Sequence, residues 1–138
     1  MRDVLERRAV LLHEHADSRE EAIRRCGLLL VETGAVAEPY VEAMLERERS
    51  ISTYVGEGVA IPHGVSREAI LRDAICVVRF PDGVDWDGER VTLCVGIAAR
   101  GDGHVALLAE LAEILLDPER ARTLREASEV ETVMKELS

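Results

Sequence analysis

Gly58-Val59-Ala60-Ile61-Pro62-His63-Gly64 reads as a short buried strand that ends on a presented histidine. Val59, Ala60 and Ile61 are apolar and two of the three are β-branched, which favours a strand. Pro62 locks its own φ, denies an ordinary helix entry and biases Ile61 toward extended geometry. Gly64 tolerates backbone conformations closed to other residues and leaves room for a bulky group to approach. His63 is therefore expected to be exposed and rigidly aimed at a strand end. On these seven residues alone, a turn histidine held between proline and glycine fits equally well.

Downstream, Ser66 to Leu71 reads as a short helix or turn, and Ala74-Ile75-Cys76-Val77-Val78-Arg79-Phe80 as a strand with too little alternation to face water on either side. Pro81-Asp82-Gly83 predicts a turn. Val84 to Arg90 predicts a reversal, with Asp87-Gly88 as a second turn signal and a hairpin around it. Val91 to Ala99 is the longest apolar strand candidate and is expected at the centre of the sheet. Gly101-Asp102-Gly103-His104 then flexes into a helix opening at His104, with Val105, Leu107, Leu108, Leu111, Ile114 and Leu115 at helical spacing. Asp117-Pro118 closes that helix and starts another through Leu124, and Ser128 with Glu131 predicts a capping box for a last helix from Val130 to Leu137.

Upstream, residues 9–13 predict a first strand, though the spacing from Leu5 to Leu12 also fits a helix, and His13 and His15 are left as surface residues. Ser18 and Glu21 predict a capping box for a helix that carries Ala22, Ile23, Cys26, Leu29 and Leu30 and stops at Gly34. Glu38-Pro39 opens a second helix, with Val41, Met44 and Leu45 inward and Glu42, Glu46, Arg47, Glu48 and Arg49 outward, ending near Ser50. Ile51 to Gly58 reads as a loop. The sum is a single α/β domain over 1–138: a mixed, mostly parallel β-sheet flanked by helices on both sides.

A chain of 138 residues that is 47% hydrophobic is large enough to bury a core. Its 27 acidic and 17 basic residues leave a formal charge of −10, which argues against nucleic acid or an anionic membrane as partner and favours a basic protein face. No apolar run reaches the roughly 20 residues of a membrane span, and the charged N-terminus lacks the apolar core of a signal peptide, so the expected compartment is the cytoplasm. Cys26, Cys76 and Cys94 lie in apolar stretches and read as buried thiols. His13 and His15 lack a third ligand nearby, so no metal site is expected, nor any cofactor.

Sheets wrapped by helices carry their ligands beyond the carboxyl ends of the strands, where His63 and His104 both fall. Should those strands be neighbours, two imidazoles meet over a pocket floored by Gly64, Gly101 and Gly103, with Arg47 reaching in from the second helix. Such a set suits a phosphohistidine. Neutral imidazole is a competent nucleophile, a second imidazole can bond a phosphoryl oxygen, and guanidinium matches phosphate geometry. The helix start after Gly103 adds backbone N–H groups and a positive dipole end. By position alone, His104 is equally an inconsequential helix-start residue, and Arg47 belongs by default to a solvated charged face. A Walker loop, a dinucleotide fingerprint and a Gly-x-Ser-x-Gly elbow are all absent, so a protein donor of phosphoryl groups fits better than a bound nucleotide.

The Gly58 to Gly64 block, the upstream Ala43-Met44-Leu45-Glu46-Arg47-Glu48 with Thr53-Tyr54, and Gly96-Ile97-Ala98-Ala99-Arg100 leading to His104 resemble the enzyme IIA component of the mannitol/fructose class (type 2) of the phosphoenolpyruvate-dependent sugar phosphotransferase system. The resemblance runs from about Ser18 to the C-terminus and is strongest to mannitol-specific members. It implies a phosphocarrier. His63 would take a phosphoryl group from the phosphocarrier protein HPr as a tele-phosphohistidine and pass it to a cysteine of enzyme IIB or a IIBC permease, with His104 and Arg47 stabilising the group. A regulatory nitrogen-type relative would carry the same block, its phosphorylation state controlling the binding of a target. An apolar rim of Val59, Ile61, Val65 and Val105, ringed by acidic residues, is expected around His63 for docking. With neither a membrane nor a IIB segment, the chain is expected to act free-standing.

Overall fold

Residues 91 to 98 build the centre of the molecule, in a computed structural model that describes residues 3–138, the side chains of Asp102 and His104 excepted. In chain order the elements are β1 (Leu5–Leu11), α1 (Arg19–Glu32), α2 (Pro39–Ser50), β2 (Tyr54–Gly56), β3 (Val59–Ala60), β4 (Ala74–Trp86), β5 (Glu89–Ala98), α3 (Asp102–Leu115), α4 (Pro118–Arg125) and α5 (Val130–Glu136), with a 3-10 turn at Arg67–Ala69. The strands form one sheet in the order β1-β4-β5-β3-β2, so the apolar β5 is central, as its composition requires.

Two of the adjacencies, β1 with β4 and β3 with β5, are parallel; the other two, β4 with β5 and β2 with β3, are antiparallel. The sheet is thus mixed as expected, with parallel and antiparallel pairings balanced rather than parallel ones in the majority. Helices cover both faces. A Cβ added at Gly96 would lie 2.7 Å from Cys76 Sγ and 3.3 Å from Cys26 Cβ, so α1 sits directly on that face. Arg79, on the opposite face by strand alternation, donates Nε to the carbonyl of Arg125 at the end of α4, at 2.7 Å. The three cysteines are buried and unbridged, as read. No helix among the described residues is long and apolar enough to cross a membrane.

Several boundaries differ from the sequence reading for identifiable reasons. β1 begins at Leu5 rather than residue 9, because its register shifts between Leu5, opposite Ile75, and Val10, opposite Val77; the irregularity breaks the alternation and lets charged Glu6, Arg7 and Arg8 hide the strand. Pro81-Asp82-Gly83 is no turn. β4 runs through it, and between the pairs Arg79–Leu93 and Val84–Val91 four residues on β4 stand opposite one on β5, a wide bulge. The reversal comes at Asp87-Gly88, both with positive φ (53° and 94°), between the paired Trp86 and Glu89. Ile51 to Gly58 holds β2, which the short apolar content of Tyr54 to Gly56 concealed. α5 takes Glu129 as its cap without a side-chain bond, so the Ser128–Glu131 box does not form.

Other signals hold. Ser18 Oγ accepts the N–H of Glu21 at 3.1 Å, worth about 1 kcal/mol, while Glu21 reaches back one residue beyond the cap to the N–H of Asp17 at 3.0 Å. Asp117 caps α4 by accepting from Glu119 and Arg120. His13 and His15 are exposed, and Asp17 holds the His15 imidazole above its ordinary pKa. Because a Cβ at Gly96 would strike Cys76, Gly96→Ala is expected to cost about 1–3 kcal/mol of stability through overpacking, read as a lower urea midpoint at unchanged m-value.

Candidate active site

β3 contains two residues, but its alignment with β5 runs further. Val59 pairs with Leu93, Ala60 with Cys94 and His63 with Ile97, all at one constant offset, and Ile97 N donates to Pro62 O at 3.0 Å. Pro62 has no N–H to give. On the other side Ile61 N donates to Thr53 O at 3.0 Å. The segment carrying His63 is therefore clamped between the strand β5 and the residue that precedes β2.

His63 is 6% exposed, so the expected exposure is corrected: the residue is held inside the surface. Its Nδ1 lies 2.9 Å from the carbonyl oxygen of Ile61. A carbonyl has no proton to offer, so Nδ1 carries the proton and, in the neutral ring, Nε2 carries the lone pair. The aim expected from sequence is thus set by a backbone acceptor two residues upstream.

Gly64 serves a different purpose from the one expected. Its missing Cβ would meet Ala43 Cβ and Tyr40 Cε1, each at 3.1 Å, so it lets α2 approach rather than flooring a pocket. The Tyr40 hydroxyl accepts the N–H of Gly64 at 2.9 Å and donates to the carbonyl of Ile97 at 2.7 Å, tying the residues next to and opposite His63. Burial pushes the Tyr40 phenol up to about 12.

The chain leaves β5 through Gly101, whose φ of 52° and ψ of −127° are open to glycine and strained for any side chain. Asp73 Oδ1 accepts the N–H of Arg100 at 3.0 Å, and a Cβ at Gly103 would come within 2.6 Å of Asp73 Oδ2. These contacts fix the entry to α3. His104 lies in the first turn of that helix, which follows the strand next to β3, so the two histidine-bearing ends are neighbours; the His104 side chain lies outside the described residues. Gly101, with Val65, Arg67, Ile70 and Ala99, lines a depression of about 240 Å³.

Arg47 is in the last turn of α2, one turn beyond the Ala43 that touches Gly64. Its Nη1 donates to the carbonyl of Ile51 at 2.7 Å, closing the end of its own helix. Of the expected apolar rim, Val65 and Val105 are exposed (73% and 66%) and Ile61 is half-buried, but Val59 is fully buried between β2 and β5.

One residue of this region escaped sequence reading. Glu48, assigned to the solvated face with its neighbours, is 3% exposed. It accepts the backbone N–H and the hydroxyl of Thr53, both at 2.6 Å, and the indole N–H of Trp86 at 3.0 Å. Its place was legible: 41, 44, 45 and 48 share one helical stripe, and the charge masked the fourth member.

A buried imidazole, bonded through Nδ1 to a backbone carbonyl, thus stands at the carboxyl end of a strand in a helix-wrapped, mixed α/β sheet. The family model for the phosphoenolpyruvate-dependent sugar phosphotransferase system, EIIA 2, matches residues 3–138, and the chain belongs to that family of phosphotransferase components. The match reaches back to residue 3, beyond the start near Ser18 expected from the resemblance. The chain is 36% identical over 126 residues to a mannitol-specific phosphotransferase enzyme IIA component of Staphylococcus aureus, covering 90% of this chain and 88% of that one. It is 44% identical over 121 residues to a multiphosphoryl transfer protein of Escherichia coli, covering 86% of this chain but only 32% of that longer protein. The mannitol enzyme IIA in the Escherichia coli complex with phosphorylated enzyme IIB superposes with a TM-score of 0.88 at 32% identity, covering 97% of this chain and 98% of that one.

Replacing Tyr40 by Phe is expected to orphan the Gly64 N–H at a cost of about 1–3 kcal/mol. The folded phenol sits above its ordinary value of 10.0, so its contribution is complete below that value and is lost as pH rises toward about 12. Urea titrations at increasing alkaline pH are expected to show this loss in the wild type and its absence in Tyr40→Phe.

Proposed function

We propose that this chain is a cytoplasmic phosphocarrier that accepts a phosphoryl group from phospho-HPr on His63 Nε2 and passes it to a cysteine of an enzyme IIB, in the uptake and phosphorylation of mannitol. The observation that carries the reading is the 2.9 Å contact of Nδ1 with the Ile61 carbonyl, which leaves the lone pair on Nε2. In the first step Nε2 attacks phosphorus, the P–N bond to the donor imidazole breaks and its electron pair returns to that ring; the Nδ1 proton stays in place. In the second, a thiolate attacks, the P–Nε2 bond breaks and His63 recovers its lone pair. Both steps ask for positioning and charge stabilisation more than for covalent chemistry by other groups.

His104 and Arg47 are assigned to stabilising the phosphoryl oxygens. Arg47 would exchange its bond to the Ile51 carbonyl for one to phosphate, a stronger charge-assisted bond. The α3 N-terminus adds a partial positive charge beside the group. Mannitol is favoured by the 36% identity to mannitol-specific components; the nitrogen regulatory protein IIA-Ntr of Neisseria meningitidis has the same fold, with a TM-score of 0.87, but at a lower identity of 25%.

His63→Ala is expected to abolish acid-labile phosphorylation on incubation with phosphoenolpyruvate, enzyme I and HPr, with intact mass as the readout and unchanged circular dichroism; labelling at the wild-type rate would remove His63 from the mechanism. Docking is expected to rest on exposed Val65 and Val105, with Glu38, Glu42, Glu46 and Glu68 facing a basic partner. Association with HPr should therefore weaken as salt rises from low to physiological ionic strength, measured by titration calorimetry.

A further inference from the structure

We infer that Glu48 is a positioning residue for His63, acting through Thr53 and Ile61; the inference rests on the phosphocarrier reading. The path is continuous. The Glu48 carboxylate holds Thr53 by its N–H and its hydroxyl, Thr53 O receives Ile61 N at 3.0 Å, and Ile61 O receives His63 Nδ1–H at 2.9 Å.

The need for Glu48 follows from the asymmetry of the clamp. On the β5 side, Pro62 O is held by Ile97 within a ten-residue strand. On the other side the hold comes from Thr53, just ahead of a three-residue strand whose register shifts between Tyr54 and Gly56, and flanked by exposed Ile51 and Ser52. Arg47 holds the Ile51 carbonyl and the Ser52 hydroxyl accepts the N–H of Tyr54, but Thr53 itself is fixed by its two bonds to a buried carboxylate, which is steadied by Trp86 from the β4–β5 hairpin. With Thr53 free to drift, the Ile61 carbonyl would lose its angle to the ring. The imidazole could then turn, or move its proton to Nε2, the atom that must attack.

The structure supplies distinct variants. In Glu48→Gln the carbonyl oxygen can still accept from Thr53 N and Trp86 Nε1, which share one carboxylate oxygen, while the amide donates to the Thr53 hydroxyl. Glu48→Ala removes every bond, Thr53→Val removes the hydroxyl bond alone, and Trp86→Phe removes the hairpin bond and spares Thr53. Two readouts are taken on the full chain: the nitrogen shifts of the His63 ring by NMR, and the single-turnover rate of phosphoryl transfer over a range of phospho-HPr concentrations, which separates the saturating rate from the apparent KM.

Glu48→Ala is expected to mix the His63 tautomers and slow transfer about ten- to a hundredfold, and Thr53→Val about tenfold, with the apparent KM for HPr little changed. Glu48→Gln and Trp86→Phe are expected to keep the Nδ1–H tautomer and a rate within about threefold of wild type. A folded Glu48→Ala or Thr53→Val with wild-type nitrogen shifts and rate overturns the proposal; should Glu48→Ala fail to fold, Thr53→Val decides. If wild-type protein takes no phosphoryl group on His63, the phosphocarrier reading fails, and the nitrogen shifts still decide whether Glu48 sets the tautomer.

Discussion

The parallel pairing of β3 with β5 is the constraint on which the site depends. β3 has two residues and could not stand as a strand by itself, yet its offset to β5 holds unchanged through Pro62 to His63, so a proline that would end most strands leaves the alignment intact. The pairing brings the carboxyl ends of two neighbouring strands side by side, one carrying His63 and the other leading to α3 and His104. Tyr40 reinforces it from α2 by bonding Gly64 and Ile97 with one hydroxyl. A parallel pair needs a long crossover, here the chain from β3 through β4 and its hairpin to β5.

Backbone acceptors and donors hold the histidine and its neighbours in place. The Ile61 carbonyl selects the tautomer, and the residues on either side of the ring are held by Thr53, Ile97 and Tyr40. A carboxylate bonded to Nδ1 would make the imidazole more basic and favour its charged form; a neutral carbonyl orients the ring with less penalty to the lone pair. That fits the role proposed for His63, in which it takes up phosphorus near neutrality and gives it up again.

Glycine and cysteine do quiet work in the scaffold. Gly27, Gly64 and Gly96 each stand where a side chain would separate packed elements, from α1 against α2 to α1 against the sheet. The close approach they permit is what lets α2 bring Arg47 within a turn of the Gly64 contact. The acidic surface belongs to a separate layer of the design, since it bears on which partner is met and how fast, not on the fold.

The chain's periodicities determined much by themselves. The capped start of α1, the proline start of α2, the central apolar strand and the strand-loop-helix unit ending in α3 were all legible, because each depends on near neighbours in sequence. So was the family that Ile-Pro-His-Gly points to. What tertiary structure decided were the matters settled by residues far apart: that Pro81-Asp82-Gly83 is a bulge, because β5 has one residue opposite four; that β1 reaches back to Leu5, because Ile75 waits beside it; that His63 is buried and bonded to Ile61. Glu48 is the clearest case. Its charge reads as surface in any local window, and only the arrival of Thr53 and of Trp86, 38 residues on, supplies the donors that let a carboxylate leave water.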